Sequence, residues 1–179
     1  MAGTPDTDAP LVAQVECGAN HVLLLSDDGL IYSWGSQEQI GRGNAGLNDF
    51  DPKPGLINTI RKDAKMLHCI QIACGTDHSL ALTADGQVFA WGKGKSGQLG
   101  VPLTHFDKAQ FVVRNPELLS PSFFGGEAVQ RIAANGRSSC ATTVSGRLFV
   151  WGEAAATIYG SRNAFVPQEV GGAANAGAA

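Results

Sequence analysis

One stretch of this chain is written three times, and that recurrence limits the possible folds more than any single residue does. Ile72 to Gly92 reads IACGTDHSLALTADGQVFAWG, Val15 to Gly35 reads VECGANHVLLLSDDGLIYSWG, and Ile132 to Gly152 reads IAANGRSSCATTVSGRLFVWG. The first two share Cys, Gly, His, two Leu, Asp-Gly and Trp-Gly in register; the last keeps the turn Gly and the terminal Phe-x-Trp-Gly. Gly18 of one copy recurs as Gly75 in the next, and Asn135 takes the same place in the last. Self-similarity at such a spacing marks an array of like supersecondary units.

Each copy carries the same local device. Asp28-Gly29 separates Val22–Leu25 from Leu30–Trp34, Asp85-Gly86 separates Leu80–Leu82 from Val88–Trp91, and Ser145-Gly146 precedes Leu148–Trp151. Asp-Gly between apolar runs predicts two antiparallel strands on a type I′ turn, with positive φ at both central residues. The runs are continuously apolar rather than alternating, so both faces of each sheet are expected to be covered. Radial stacking of small four-stranded sheets meets that demand, which is the plan of a β-propeller. The chain divides into a tail (1–10), three repeats (about 11–65, 66–125 and 126–170) and a Gly/Ala-rich tail (171–179). Asn58 to Met66 and Asn115 to Leu119 are predicted as short helical connectors, the second with Asn as cap and Pro at its first position.

Composition excludes several function classes. The net charge of -3 argues against a broad nucleic-acid surface, which needs clustered Lys and Arg. No apolar run approaches the roughly 20 residues of a membrane span, and Met1 to Pro10 lacks the layout of a secretory signal. The chain is expected to be soluble and intracellular, in cytoplasm or nucleus, with its four cysteines as free thiols.

Candidate chemistry is thin. His21 and His78 share one repeat position, which assigns them a structural hydrogen bond from a strand to a neighbouring turn. Asp77-His78-Ser79 holds triad residue types, but consecutive strand residues face opposite sides of a sheet and cannot form a relay. Gly94-Lys95-Ser96 imitates the end of a phosphate loop, yet Phe89 stands where the first Gly is required. His68, Cys69, Cys74 and His78 lack the spacing of a zinc knuckle. No catalytic, cofactor or metal site is expected. Gly18, Gly29, Gly35, Gly75, Gly86, Gly92, Gly146 and Gly152, with Trp34, Trp91 and Trp151, are assigned to turns and blade packing. What does not repeat is the candidate partner interface: the basic cluster Arg61, Lys62 and Lys65, the loop charges Lys93 and Lys95, and Phe106, Phe123 and Phe124. These phenylalanines, with Phe111, have a second reading as filler between blades.

Cys-Gly-x-x-His-x-Leu-x-Leu, Asp-Gly, Trp-Gly and then Gly97-Gln98-Leu99-Gly100 together resemble the repeat of the regulator of chromosome condensation family, whose members form seven-bladed β-propellers. The first unit substitutes Gln39-Ile40-Gly41 for Gln-Leu-Gly; the third has Asn135 for Gly, Ser138 for His and Ile158-Tyr159-Gly160 for Gln-Leu-Gly. The resemblance implies an all-β fold, a partial propeller of about three four-stranded blades in an open arc. Three blades do not close a ring, so the outer faces of the first and last blades are expected to lie bare and to call for a protein partner or further blades. The function implied is a non-catalytic protein-protein interaction module or scaffold, or a fragment of a seven-bladed propeller. The alternative is a guanine-nucleotide exchange factor for a small Ran-like GTPase, with chromatin association.

Overall fold

The apolar runs pair into three sheets of four antiparallel strands in the computed structural model, which describes residues 11–43, 49–102, 111–160 and 165–171. Blade 1 comprises β1 (Val12–Cys17), β2 (His21–Ser26), β3 (Ile31–Ser36) and β4 (Phe50–Leu56). A two-stranded hairpin, β5 (Arg61–Lys62) and β6 (Lys65–Met66), follows. Blade 2 comprises β7 (Cys69–Cys74), β8 (His78–Thr83), β9 (Val88–Lys93) and β10 (Val112–Leu118). Blade 3 comprises β11 (Val129–Asn135), β12 (Ser138–Thr143), β13 (Leu148–Gly152) and β14 (Gln168–Glu169), with the helix α1 (Glu153–Tyr159) between the last two. Each sheet is in sequence order, as expected of a propeller blade.

The Asp-Gly turns differ from the type I′ expectation. Ser26 N donates to Leu30 O and Gly29 N to Ser26 O, which closes a three-residue loop. Only its glycine has positive φ, 81° at Gly29 and 80° and 87° at Gly86 and Gly146; Asp28 and Asp85 do not. This is a type I turn completed by a left-handed residue, the usual three-residue hairpin. Ser26 and Thr83 tighten it by accepting from Leu30 N and Gln87 N, each at 3.1 Å.

Neither predicted helix forms. Asn58 to Met66 holds the β5–β6 hairpin, turned by Asp63 at φ 56°. Asn115 to Leu119 lies largely in β10, where pairing with β9 overrides the local capping signal. Pro116 is tolerated because β10 is an outer strand and the ladder shifts register between Val113 and Glu117.

The blades stack on their faces. We call the face toward the preceding blade leading and the other trailing. The trailing face of blade 1 (Leu23, Leu25, Ile31) packs with Ile72, Ala81, Phe89 and Trp91 of blade 2. The trailing face of blade 2 (Leu80, Leu82, Val88, Ala90) packs with Ile132, Ala141, Phe149 and Trp151 of blade 3. Accordingly every residue of β8 is buried, whereas β2 and β12 alternate between buried and half-buried. Among the described residues the middle blade has both faces covered, and the outer faces of the first and last blades lie bare, as expected of an open arc.

At the inner strands the stack is clasped. Gln14 reaches the next blade with its amide, donating to Ile72 O at 2.9 Å and accepting from Ile72 N at 3.0 Å. Gln71 repeats this on Ile132, at 2.8 and 3.0 Å. Ala19 N donates to Thr76 O and Thr76 N to Gly136 O, so the inner turns are chained as well.

Candidate functional site

The polar consensus residues converge on the joints between blades. His78 Nε2 lies 2.7 Å from Ser139 Oγ, and Ser139 Oγ donates onward to Gln98 O at 2.8 Å. The hydroxyl proton is therefore committed, and His78 must carry its proton on Nε2 and donate. Trp151 Nε1 donates to the same Gln98 carbonyl at 2.8 Å. The joint between blades 1 and 2 repeats the arrangement: His21 Nε2 stands 2.8 Å from Ser79 Oγ, and Trp91 Nε1 donates to Gln39 O at 2.9 Å. The His thus reaches a strand of the next blade, not a turn as the sequence suggested. It can do so because its ring lies against a glycine: a Cβ on Gly18 or Gly75 would stand 2.1 Å from the Cε1 of His21 or His78.

Burial holds these imidazoles neutral. Desolvation lowers the His21 pKa to about 4, against a smaller opposing pull from Asp77, and that of His78 to about 3 with help from His21. Nδ1 of each has no hydrogen-bond partner, so a second proton would find no acceptor. Cys69 and Cys74 are buried and their thiols are pushed up to about 12 by desolvation; Cys17, at the place in blade 1 equivalent to Cys74, is exposed, and none of the described residues covers that face. All four cysteines are free.

The two flanks of the arc differ in character. On the leading face of blade 1, Val22, Leu24, Tyr32 and Trp34 are half-buried, and Val15 is 51% exposed. Trp34 matches Trp91 and Trp151 in register, opposite Val22 as they stand opposite Ser79 and Ser139. On the trailing face of blade 3 lie Ser138, Cys140, Thr142 and Val150, beside a cavity of about 230 Å³ that Ala133 and Ala154 also line. Here α1 begins, and Ser138 Oγ accepts from Ala154 N at 3.0 Å.

The candidate interface residues scatter. Arg61, Lys62 and Lys65 are exposed together on the β5–β6 hairpin rather than on a helix. Lys93 is held 3.1 Å from Glu38 of blade 1, a tie between blades instead of a loose loop charge, while Lys95 is exposed on the following turn. Phe124 is 2% exposed, with its ring edge-on to Phe149 at 5.4 Å and near Trp151 at 6.1 Å, so it belongs to the joint between blades 2 and 3. Phe123 and Phe111 are half-buried against the same cluster. Phe106 lies outside the described residues. Among the described residues no group of three His, Cys, Asp or Glu side chains could hold a metal ion. No helix among them is long and apolar enough to cross a membrane.

Residue-level reading overlooked Gln14, Gln71 and Ser139, and named Ser79 only as a dismissed triad residue type. Their signal was in the repeat: Gln14 and Gln71 stand in the same register as Gly18 and Gly75, and Ser79 and Ser139 in that of Gly75 and Asn135.

Comparison with known proteins agrees with this architecture. Models of the regulator of chromosome condensation (RCC1) repeat match residues 28–82 and 85–142, and a second such model matches 12–39 and 69–98. The chain is 35% identical over 145 residues to the RCC1 domain-containing protein RUG3, mitochondrial, of Arabidopsis thaliana, which covers 80% of this chain and 29% of that protein. It is 35% identical over 143 residues to a mouse RCC1-like G exchanging factor-like protein, with 79% and 28% covered. The crystal structure of human WBSCR16 superposes with a TM-score of 0.71 at 29% identity, over 94% of this chain and 39% of that one. The chain thus spans about three tenths of the length of these curated relatives.

Proposed function

The chain belongs to the regulator of chromosome condensation repeat family, and on that premise we propose that it is a protein-interaction module. The observation that carries this reading is the leading face of blade 1, where Val22, Leu24, Tyr32 and Trp34 form an apolar sheet surface of the kind buried at the other two joints. An apolar patch of this sort on a soluble surface marks an interaction site. The consensus polar groups His21, His78, Trp91 and Trp151 are engaged in holding blades together, so recognition falls to surfaces outside the consensus. The exposed hairpin with Arg61, Lys62 and Lys65 is the second such surface, suited to an acidic partner segment. The test is capture of proteins from a native extract on the wild-type chain and on Leu24→Asp. The variant should lose proteins that the wild type retains; identical captured sets would count against the reading.

A second reading, guanine-nucleotide exchange on a small GTPase, is favoured by the likeness to the mouse exchanging factor-like protein. Accelerated nucleotide release from any member of a GTPase panel, at substoichiometric amounts of this chain, would replace the module reading with it.

A further inference from the structure

The two connectors between blades begin and end alike. Each leaves its outer strand with a backbone bond to the third strand, Ile57 N to Ile31 O and Leu119 N to Val88 O, and each enters the next blade on the hairpin glycine, Cys69 N to Gly29 O and Val129 N to Gly86 O. What lies between differs. The second connector makes a 3-10 turn, Pro121–Phe124, that sends Phe124 into the joint between blades 2 and 3. The first sends Ile60 and Leu67 into the joint between blades 1 and 2, and then adds the β5–β6 hairpin beyond them. Leu67 N donates to Ile60 O at 3.0 Å and closes the base of the hairpin, while Arg61, Lys62, Asp63, Ala64 and Lys65 are all exposed. Blade stacking therefore uses the base and makes no use of the tip.

The tip carries an electrostatic cost. Lys62 stands directly opposite Lys65 across a two-residue turn, Asp63 and Ala64, with Asp63 at φ 56°. Residues directly opposite share a face, with Cβ atoms about 5 Å apart, and like charges placed so repel. Elsewhere this chain sets cations against carboxylates: Arg42 against Asp51, Lys93 against Glu38, Arg137 against Glu153, and Arg147 against Glu127 and Glu169. Lys62 and Lys65 form no ion pair among the described residues. Arg61 lies on the other face of the ribbon, opposite Met66, and its Nε donates to Met66 Sδ at 3.2 Å. Two ammonium groups are thus held side by side on a rooted hairpin, with their backbone already placed before anything binds.

We propose that Lys62 and Lys65 together grip one phosphate group on a phosphorylated segment of a partner protein. This rests on reading the hairpin as an interaction surface. A phosphorylated side chain brings close to two negative charges and three acceptor oxygens to one point, which matches two converging ammonium groups; a carboxylate brings one charge. Nucleic acid and anionic membrane fit the site less well. Both are bound by longer runs of Lys and Arg, while this face offers one lysine pair on a chain of net charge -3.

Titration of the 15N-labelled full chain, followed by its amide resonances, tests this with three pentapeptides that place phosphoserine, glutamate or serine between glycine pairs. The phosphoserine peptide should shift resonances within 60–67 and bind about fivefold more tightly than the glutamate peptide, the worth of one further unit charge at close range in water. Lys62→Gln and Lys65→Gln should each weaken it about fivefold. Arg61→Gln removes the same charge from the other face and should weaken it less than about twofold. Equal affinity for phosphoserine and glutamate, shifts centred elsewhere, or an Arg61→Gln loss equal to that of Lys62→Gln overturns the proposal. So does tighter binding, at equal phosphate concentration, of single-stranded DNA or of phosphatidylserine vesicles. The three peptides decide on the wild-type chain even where a variant fails to fold. A negative result leaves the apolar face of blade 1 and its extract experiment untouched.

Discussion

Acidification from pH 7.5 to 5.0 should cost this fold about 4 kcal/mol, and nearly all of it should come from two side chains. His21 and His78 have folded pKa values of about 4 and about 3, below the 6.5 of a free imidazole. The unfolded chain therefore takes up protons first. Stability is complete above pH 6.5 and is lost as the pH falls toward the folded values. At pH 5.0 each unfolded histidine is stabilised by proton binding by about 2 kcal/mol, while the folded one gains less than about 0.1. This magnitude is set by the unfolded pKa once the folded value lies at or below about 4. Urea unfolding at the two pH values, for wild type, His21→Gln, His78→Gln and the double variant, reads the effect directly. Glutamine can still donate to Ser79 or Ser139 but does not titrate. Each single variant should remove about half of the pH-dependent loss and the double variant nearly all of it. A double variant that loses as much stability as wild type between pH 7.5 and 5.0 would refute the reasoning.

Three further outcomes follow from the joints. Gly75→Ala should abolish cooperative unfolding or lower the midpoint severely, since its Cβ would stand 2.1 Å from His78 and 2.7 Å from the Gly136 carbonyl; Gly146→Ala, strained at φ 87° but with nothing within 4 Å, should cost only about 1 kcal/mol by denaturant titration. Trp151→Phe removes one of two donors to Gln98 O and shrinks a fully buried ring, and should cost at least about 2 kcal/mol, whereas Trp34→Phe on the open flank should fall within about 0.5 kcal/mol by denaturant titration. With a disulfide thiol reagent at pH 8, Cys17 should react within the mixing phase and Cys69 and Cys74 only on unfolding, because burial holds those two thiols near 12.

Much of this architecture was legible in the repeat. Hairpin positions, the turn glycines and the tryptophan positions all followed from self-similarity, because one blade's requirements are printed again in the next. The errors came where a local signal met a tertiary demand. Asn115-Pro116 reads as a helix start by capping chemistry, yet the outer edge of blade 2 needed a fourth strand, and β9 supplied the ladder. The serines that receive the histidines were missed because each lies far along the chain from its partner, on the following blade.

The strand HVLLLS of blade 1 is the instructive case. It is more apolar than HSLALT of blade 2, but HSLALT is buried throughout while Val22 and Leu24 are half-exposed. Strand composition records what a sheet face must meet, and the residues described here do not supply that cover for blade 1. The apolar run marks a demand for two covered faces, and an open arc of three repeats leaves that demand unmet on blade 1 among the described residues.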